Sequence, residues 1–380
     1  MKRALPALLL LLASCGAVRN SPFRTTRLLP LGENHEPDAL AAGDFNGDGR
    51  LDLVVGSAKA GDVIVFFGDG RGGFRRGGSY PAGPSPTEIA VADFNGDGFP
   101  DLAVASHGTP IVMILLNDGK GGFQPAPGSP LSVHSNPHPH TIAACDTDGD
   151  GILDLVIDSW GENRFTLLKG DGKGGFAAPG TTFPAGRKPY RNLRLADLDG
   201  DGRCDLVAPN MAEKGVTILY GDGHGNFPGA EKPPVPAGPS PFAVAVADIN
   251  RDGKPDIVVA NYSGQITDPS GDGLTFLLNE GHGRFRLGPK IPTGRGSGHV
   301  ETGDVDGDGY LDAVVVNGGS DDLTIAFGGP DGLSPSRVVN VPYGAHGAWR
   351  VLVADFDGDG KADAVTANAE SHTVSILLTR

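Results

Sequence analysis

The sequence predicts an all-β protein, a seven-bladed β-propeller built from four-stranded antiparallel blades. Two observations carry this prediction. A nine-residue motif recurs seven times along the 380 residues, at spacings of 49 to 56 residues. Between the copies lie short runs rich in Val and Ile and bounded by Gly and Pro, which indicate strands and not helices. Four strands in about 50 residues, repeated at a fixed period, are typical of propeller blades.

The motif starts and ends with Asp. Its copies are DFNGDGRLD at Asp44, DFNGDGFPD at Asp93, DTDGDGILD at Asp146, DLDGDGRCD at Asp197, DINRDGKPD at Asp248, DVDGDGYLD at Asp304 and DFDGDGKAD at Asp355. Chance does not produce seven copies at near-constant spacing. The 60 Gly and 31 Pro would on their own suggest low-complexity disorder. Because they recur with the repeat, they indicate regularly spaced turns instead.

The second unit illustrates the elements of one blade. Its first predicted strand covers 88–92 and leads into the motif, its second covers 102–105, and its third covers 111–116. The turn NDGKGGF (117–123) follows, in which Asn and Gly supply the positive φ that a hairpin needs. A weaker fourth strand then ends near a Pro and Gly pair.

The two ends of the repeat region complement each other. The last unit contains only three predicted strands and ends at 374–378, whereas 23–31 aligns with the fourth strand of other units, such as 74–82. We expect 23–31 to complete the seventh blade and close the ring, since closure removes unpaired strand edges. An open solenoid is the alternative, and it would not need this complementary truncation.

Residues 1–15 have the pattern of a lipoprotein-type signal peptide. Lys2 and Arg3 precede a short apolar stretch, and Leu12-Ala13-Ser14-Cys15 resembles a bacterial lipobox. We expect lipidation at Cys15, a short linker at 16–22, and a single propeller over 23–380. The expected location is extracytoplasmic, with the protein anchored by lipid to a membrane, which Gly16 indicates is the outer membrane if the source is Gram-negative. The alternative is an ordinary secretory signal, whose cleavage would release the protein.

The motif places oxygen side chains at positions 1, 3, 5 and 9, with Gly at position 6. This alternation matches the start of an EF-hand loop, in which side-chain oxygens and the carbonyl of position 7 surround one calcium ion. Magnesium prefers a tighter octahedron, and zinc prefers the His and Cys that these positions lack. Acidic turns held only by hydrogen bonds are the alternative, but their carboxylates would repel one another without a cation. The sequence therefore predicts up to seven Ca²⁺, one per blade.

The predicted side-chain ligands are Asp44, Asn46, Asp48 and Asp52; Asp93, Asn95, Asp97 and Asp101; Asp146, Asp148, Asp150 and Asp154; Asp197, Asp199, Asp201 and Asp205; Asp248, Asn250, Asp252 and Asp256; Asp304, Asp306, Asp308 and Asp312; and Asp355, Asp357, Asp359 and Asp363. The predicted backbone ligands are the carbonyl oxygens of Arg50, Phe99, Ile152, Arg203, Lys254, Tyr310 and Lys361.

On these motifs, residues 22–380 resemble the FG-GAP/VCBS repeat family, which includes the heads of integrin α-subunits and many secreted bacterial proteins. The resemblance implies a calcium-binding propeller with the ligands above, and a role in adhesion or lectin-like binding. The family's FG and GAP letters are degenerate here, as Phe67-Gly68 and Ala82-Gly83-Pro84. Arg251 replaces the Gly at position 4 of the fifth copy, which removes no ligand.

The net charge of −15 argues against a nucleic-acid partner, because phosphate backbones require clustered Lys and Arg. Most of the acidity belongs to the motifs, which hold 25 of the 46 acidic residues, and the remaining 21 are outnumbered by 31 Lys and Arg. The surface away from the motifs is therefore expected to be mildly basic and able to attract an acidic glycan.

The loops on the face opposite to the motifs are rich in His, aromatic residues and Arg, and loops on a rigid scaffold are where binding residues concentrate. The candidate ligand face comprises His138, His140, Trp160, Tyr190, Arg191, His299, His346 and Trp349. A solvated turn is the favoured interpretation of 138–140 over a metal site, and the Trp residues have blade packing as their alternative role. Cys145 and Cys204 are interpreted as small core residues and not as a disulfide pair.

The leading functional hypothesis is a non-catalytic, monomeric binding or adhesion module for a glycan or protein, attached to a membrane only through its lipid. No nucleophile elbow, phosphate loop or HExxH string is present. The alternatives are a lyase-like carbohydrate-active enzyme with its site on the His-rich face, and a purely structural envelope scaffold.

Overall fold

A computed structural model describes residues 21–134, 139–159, 162–185, 192–229, 232–264 and 271–380. The predicted signal peptide, with Cys15, lies outside these residues. Within them the strands form seven antiparallel sheets. No helix in these ranges is long and apolar enough to span a membrane.

The strands follow the repeat. The N-terminal strand is β1 (Phe23–Pro30). The first blade contains β2 (Pro37–Gly43), β3 (Asp52–Ser57), β4 (Asp62–Gly68) and β5 (Phe74–Pro81). The second contains β6 (Pro86–Ala92), β7 (Asp101–Ser106), β8 (Ile111–Asn117), β9 (Phe123–Pro125) and β10 (Leu131–Ser132). The third contains β11 (Ile142–Cys145), β12 (Asp154–Ser159), β13 (Arg164–Leu168) and β14 (Thr181–Pro184). The fourth contains β15 (Arg194–Ala196), β16 (Asp205–Asn210), β17 (Gly215–Leu219) and β18 (Val235–Pro236).

The remaining blades continue the same order. The fifth contains β19 (Pro241–Ala247), β20 (Asp256–Asn261), β21 (Gly273–Gly281) and β22 (Arg284–Leu287). The sixth contains β23 (Ser297–Gly303), β24 (Asp312–Asn317), β25 (Asp322–Ala326) and β26 (Val338–Pro342). The seventh contains β27 (Ala348–Ala354), β28 (Asp363–Asn368) and β29 (Thr373–Thr379), joined by β1.

Each blade is a simple meander in which every motif joins the first strand to the second, as the sequence predicts. The order β2-β3-β4-β5 of the first blade recurs around the ring. In the second blade the outer strand is divided, and both β9 and β10 pair with β8. All seven motifs therefore lie on one face, and the loops between second and third strands lie on the other.

The N-terminal strand closes the ring, which confirms the expectation from the truncated last unit. Strand β1 pairs antiparallel with β29, with Leu29 opposite Val374. The N–H of Arg380 also donates to the carbonyl of Pro22 at 3.0 Å. The seventh blade thus combines both ends of the chain.

Seven apolar clusters form the core, one at each boundary between neighbouring blades. The cluster between the seventh and first blades includes Leu53, Phe356 and Leu378, so the closing boundary is packed like the others. The second strand of every blade is buried along its whole length, because it has a neighbouring blade on each side. Burial on both faces explains why these strands are continuous apolar runs.

The prediction that Cys145 and Cys204 are separate core residues is wrong. They form a disulfide with a Cα–Cα distance of 6.5 Å, which joins the end of β11 to the motif of the fourth blade. The disulfide joins the residue before one motif to position 8 of the next motif across a blade boundary, and the same two positions are close at another boundary. At the sixth boundary, a Cβ built on Gly303 would lie 2.7 Å from the Cβ of Ala362.

Candidate metal loops and the central channel

Each motif forms a tight turn in which side-chain oxygens accept hydrogen bonds from backbone N–H groups of the same turn. In the first copy, Asp44 accepts from the N–H groups of Asp48 at 3.0 Å and Gly49 at 2.7 Å. Asn46 accepts a further bond from Asp48 at 2.9 Å. Gly49, at position 6, has a φ of 80°, which L side chains rarely adopt. These bonds bring the oxygens of positions 1 and 3 to the same side of the turn.

The fifth loop keeps this geometry despite its Arg at position 4. Arg251 adopts a φ of 62°, the left-handed conformation that Gly takes in other copies. Asp252 still donates its N–H to Asp248 at 3.0 Å. The substitution therefore leaves the predicted ligands in place.

The Asp at position 9 is buried in every copy and connects the loop to the third strand. In the first copy, Asp52 accepts hydrogen bonds from the N–H groups of Phe45 at 3.1 Å and Gly68 at 2.9 Å. Burial, with smaller contributions from the neighbouring carboxylates, raises the pKa of Asp52 to about 6 and that of Asp312 to about 7. A cation bound beside such a carboxylate would favour its ionised form and lower its pKa.

The motif residues fit a hard cation. In four loops, three carboxylates offer oxygens that lie within 4.8 Å of one another. These groups are Asp146, Asp148 and Asp150; Asp197, Asp199 and Asp205; Asp304, Asp306 and Asp308; and Asp355, Asp357 and Asp359. One carboxylate oxygen of Asp148 and one of Asp357 are buried with no hydrogen-bond donor. Buried oxygens without donors in an all-oxygen cluster are the ligands that calcium prefers.

Three of these four loops also contact a basic side chain from the outer part of the same blade. Lys169 lies against Asp148, and Arg24 of β1 lies against Asp357. Arg337 approaches Asp306 at 2.7 Å. These cations neutralise part of the loop charge in the absence of a metal ion.

Four residues of the predicted ligand face, His138, Trp160, Tyr190 and Arg191, lie outside the described ranges. Two others are buried, which corrects the expectation that they present free surface. His140 is 4% exposed, with its Nδ1 3.4 Å from Asp158. His299 is also 4% exposed, and its Nε2 lies 2.6 Å from the side-chain nitrogen of Asn192. Both imidazoles are therefore buried inside the ring and bond to other side chains there.

Trp349 is half-buried and lies near the start of β27, the innermost strand of the seventh blade, at the end away from the motif. Its ring reaches over the sixth blade to Tyr262 of the fifth, with centroids 5.4 Å apart. Tyr262 in turn packs edge-on against Phe242 at 5.1 Å. The indole fits there because the sixth blade has Gly298 and Gly318 beneath it, where added Cβ atoms would lie 2.5 and 3.3 Å from indole carbons.

His346 is the exposed histidine of the set, with 71% of its side chain accessible. Its Nδ1 lies 2.7 Å from a carboxylate oxygen of Asp321. The buried hydroxyl of Tyr343 donates to the other oxygen at 2.9 Å. Asp321 raises the pKa of His346, and hydrogen bonds from His346 and its surroundings lower that of Asp321.

The central channel contains two ion pairs that were not predicted from the sequence. Glu88 of the second blade lies 2.5 Å from Arg350 of the seventh, and Arg194 of the fourth lies 2.6 Å from Glu301 of the sixth. Each pair skips one intervening blade. A cavity of about 350 Å³ is lined by Glu88, Arg194, Glu301 and apolar residues, most of them on the first strands.

These four charged residues differ from the residues at the same positions in other copies of the repeat. Three positions before the motif, four copies have Ala, where the fourth and sixth have Arg194 and Glu301. Five positions before it, Glu88 and Arg350 stand where the first and fifth copies have Ala. Comparing the copies with one another would have found all four.

A model of the FG-GAP-like repeat family matches residues 44–104, 93–157, 197–259 and 304–366. The matched segments cover more than half of the chain, and each runs from one motif through the next, so together they include all seven. Among curated proteins, none matches this chain.

Several solved structures share the fold at low sequence identity. A structure of BBS1N in complex with ARL6DN, soaked with lead, is 12% identical with a TM-score of 0.62, covering 94% of this chain and 96% of that one. An Agrocybe aegerita lectin, described as recognising non-reducing terminal N-acetylglucosamine, is 16% identical with a TM-score of 0.55, covering 92% and 97%. Virginiamycin B lyase from Staphylococcus aureus, with quinupristin, is 12% identical with a TM-score of 0.55, covering 94% and 99%.

Proposed function

This chain belongs to the FG-GAP-like repeat family, and from that premise we propose that it is a calcium-stabilised, non-catalytic binding or adhesion module for a glycan or protein ligand. The ligand binds at the face opposite to the calcium loops. The protein acts as a monomer outside the cytoplasm, held at a membrane by lipid on Cys15.

The half-buried rings of Trp349 and Tyr262, with Phe242 buried behind them, are the observation that supports the binding role. An indole supported on two glycines presents a large, rigid apolar surface at little cost in conformational entropy. Aromatic rings stack well on the C–H faces of sugars and on apolar side chains. The similar lectin supports this role by analogy of fold alone.

Calcium is proposed as a structural ion. The loops connect the two innermost strands of each blade, and the residues at positions 1, 3, 5 and 9 supply the oxygens that would hold it. Calcium bound to the folded state alone raises stability in proportion to the logarithm of its concentration over its dissociation constant.

A glycan array probed in 1 mM calcium (a concentration on the order of extracellular levels) tests the binding role. We expect at least one class of glycan to bind the wild-type protein, and Trp349→Ala to weaken this binding about tenfold or more. Leu287→Ala, at an exposed apolar residue on an outer strand, is the matched control and should bind like wild type. Equal binding by Trp349→Ala would contradict the assignment of the ligand face.

A catalytic role at the same face is the second candidate, and the Asp321–His346 pair favours it. A carboxylate that fixes one imidazole nitrogen leaves the other in a defined position for proton transfer. Any glycan that binds should therefore be incubated with the protein and examined for cleavage by mass spectrometry. Product that disappears in His346→Gln would establish the enzyme in place of the binding module.

A further inference from the structure

The charged residues of the central channel have no role in calcium binding or at the candidate ligand face. They form a layer across the channel: Glu88 with Arg350, and Arg194 with Glu301. Their side chains are mostly buried, from 4% exposed for Arg350 to 25% for Glu301. Although Glu301 keeps part of its surface open to the channel, its burial among protein atoms raises its pKa, against the opposing effect of Arg194.

Stability alone does not account for this layer. Replacing a buried ion pair by apolar residues of similar size is often neutral or stabilising, because desolvation offsets the attraction. Other copies of the repeat already hold Ala at these positions, for example Ala41, Ala90 and Ala245. A propeller of this sequence could therefore close its channel with apolar residues. Four charges in that place indicate a ligand.

The cavity of about 350 Å³ lies on the calcium-loop side of this layer. Its walls include Ala92, which directly precedes the second motif, and Leu153, which lies inside the third. Glu88, Arg194 and Glu301 form its polar end. The volume corresponds to about ten water molecules and accommodates a single hexose ring. The charged layer separates this cavity from the rings of Trp349 and Tyr262.

We propose that this cavity binds a small, neutral, polyhydroxylated molecule, such as a hexose or a cyclitol. The two ion pairs leave the layer with no net charge, so a charged ligand would bury an uncompensated charge. A hydroxyl both donates and accepts hydrogen bonds. One hydroxyl of a vicinal pair donates to Glu301 while its neighbour accepts from Arg194, and the 2.6 Å contact between the two side chains stays intact.

The apolar residues that line the cavity also suit the ring of a hexose or cyclitol. Residues such as Ala90 and Ala143 face the C–H groups of a sugar ring without competing for its hydroxyls. The site is distinct from the glycan-binding face proposed above and is entered from the opposite end of the channel. The two sites therefore respond to different substitutions.

Isothermal titration calorimetry with glucose, galactose and myo-inositol tests this proposal, with glucuronate and glucosamine as charged counterparts. We expect at least one neutral compound to bind with a Kd of about 1 mM or tighter, and its charged counterpart to bind at least about tenfold more weakly. Glu301→Gln should weaken the neutral ligand about tenfold, since it removes one charged hydrogen-bond acceptor. Arg164→Met, which removes an exposed arginine of β13, is the control and should bind normally.

Two further variants separate binding from folding. Ala90→Leu fills the cavity and leaves both ion pairs in place, so it should fold and lose the ligand. The double variant Arg194→Met with Glu301→Leu should also fold, with its melting temperature close to that of wild type, and lose the ligand. The proposal is overturned if none of the neutral compounds binds, if a charged compound binds better, or if Ala90→Leu keeps its affinity for the ligand. It is also overturned if the double variant melts far below wild type, because the ion pair would then serve to stabilise the fold. Loss of binding in Trp349→Ala on the glycan array alone would concern only the other site.

Discussion

The guanidinium of Arg350 and the carboxylate of Glu88 lie 2.5 Å apart, although they belong to the seventh and second blades. The contact reaches past the first blade, and the same guanidinium donates to the carbonyl of Thr87 at 2.7 Å. Between these two blades lies the boundary at which the chain passes from β1 of the seventh blade to β2 of the first. Arg350 therefore links the innermost strands of the seventh and second blades across the channel.

Removing one member of this pair should be costly. Arg350→Met leaves the Glu88 carboxylate buried and uncompensated, so we expect a loss of about 3 to 5 kcal/mol in the free energy of unfolding, measured by urea denaturation. The double variant Glu88→Leu with Arg350→Met should recover most of this loss, because no charge then remains. Losses that simply add in the double variant would show that the two side chains act independently.

Calcium should stabilise the protein more at pH 8 than at pH 5. In the calcium-free protein, burial raises the pKa of Asp52 to about 6 and of Asp312 to about 7, above the ordinary value of 3.8. At these two carboxyls the folded state binds more protons than the unfolded state between about pH 4 and pH 7, so the stability that they contribute is fully present below pH 4 and is lost as pH rises through that window. Bound calcium compensates the ionised carboxylates and removes this loss.

The measurement is the difference in melting temperature between calcium-loaded protein and protein freed of calcium by chelation and gel filtration. We expect the difference to grow from pH 5 to pH 8. Magnesium at equal concentration is the control and should give a smaller difference, since it dehydrates reluctantly and prefers octahedral sites. A melting temperature that is independent of calcium at pH 8 would contradict structural calcium in these loops.

The Cys145–Cys204 disulfide should contribute to stability through the 59-residue separation that it spans. In the chain-entropy account, a loop of this length corresponds to about 4 kcal/mol. Cys145→Ala with Cys204→Ala should therefore lower the melting temperature, whereas reductant should leave the double variant unchanged. Mass spectrometry without reduction would contradict the bond if it found both thiols free.

The ring and its closure could be predicted because they depend on local patterns that repeat. The nine residues of each motif form a turn through hydrogen bonds among themselves. The last unit shows no fourth strand after Val374, and the segment that begins at Phe23 has the pattern of such a strand. Neither inference required knowledge of which side chains meet across the ring. Pairings within one blade, such as Leu29 with Val374, follow from the order of the strands.

Contacts between blades could not be predicted in the same way. His299 precedes a strand in the sequence like a loop residue, but it lies on an innermost strand where the seven blades converge, and it is buried. The pairing of Cys145 with Cys204 depends on the distance between one motif and the next across a blade boundary. That distance is set by the curvature of the whole ring and not by either residue's neighbours in the chain.

The pKa of His346 should depend on Asp321. The hydrogen bond and the negative charge of Asp321 raise the pKa of the imidazole, so Asp321→Asn should lower it toward that of an unpaired histidine. The pair favours folding while His346 is protonated, and this contribution disappears as pH rises through the pKa of His346. NMR titration of the ring protons measures the shift, with Glu370→Gln as the control for a weaker neighbouring charge. An unchanged pKa in Asp321→Asn would mean that the 2.7 Å contact is not kept in solution.

Lys169 should reduce the calcium affinity of the third loop. Its ammonium lies against Asp148, one of the three carboxylates that converge there. Because a bound calcium ion and the ammonium repel each other, Lys169→Met should raise the affinity of this loop several-fold, up to about tenfold. The gain in calcium affinity should shrink in high salt, since about half of the Lys169 side chain is exposed to solvent.

Lys173→Met removes the same charge from an exposed turn of the same blade and is the matched control. Calcium titrations followed by the amide signals of Gly149 and Gly151 report on this loop alone, and equal midpoints in the two variants would show that Lys169 does not compete with the ion.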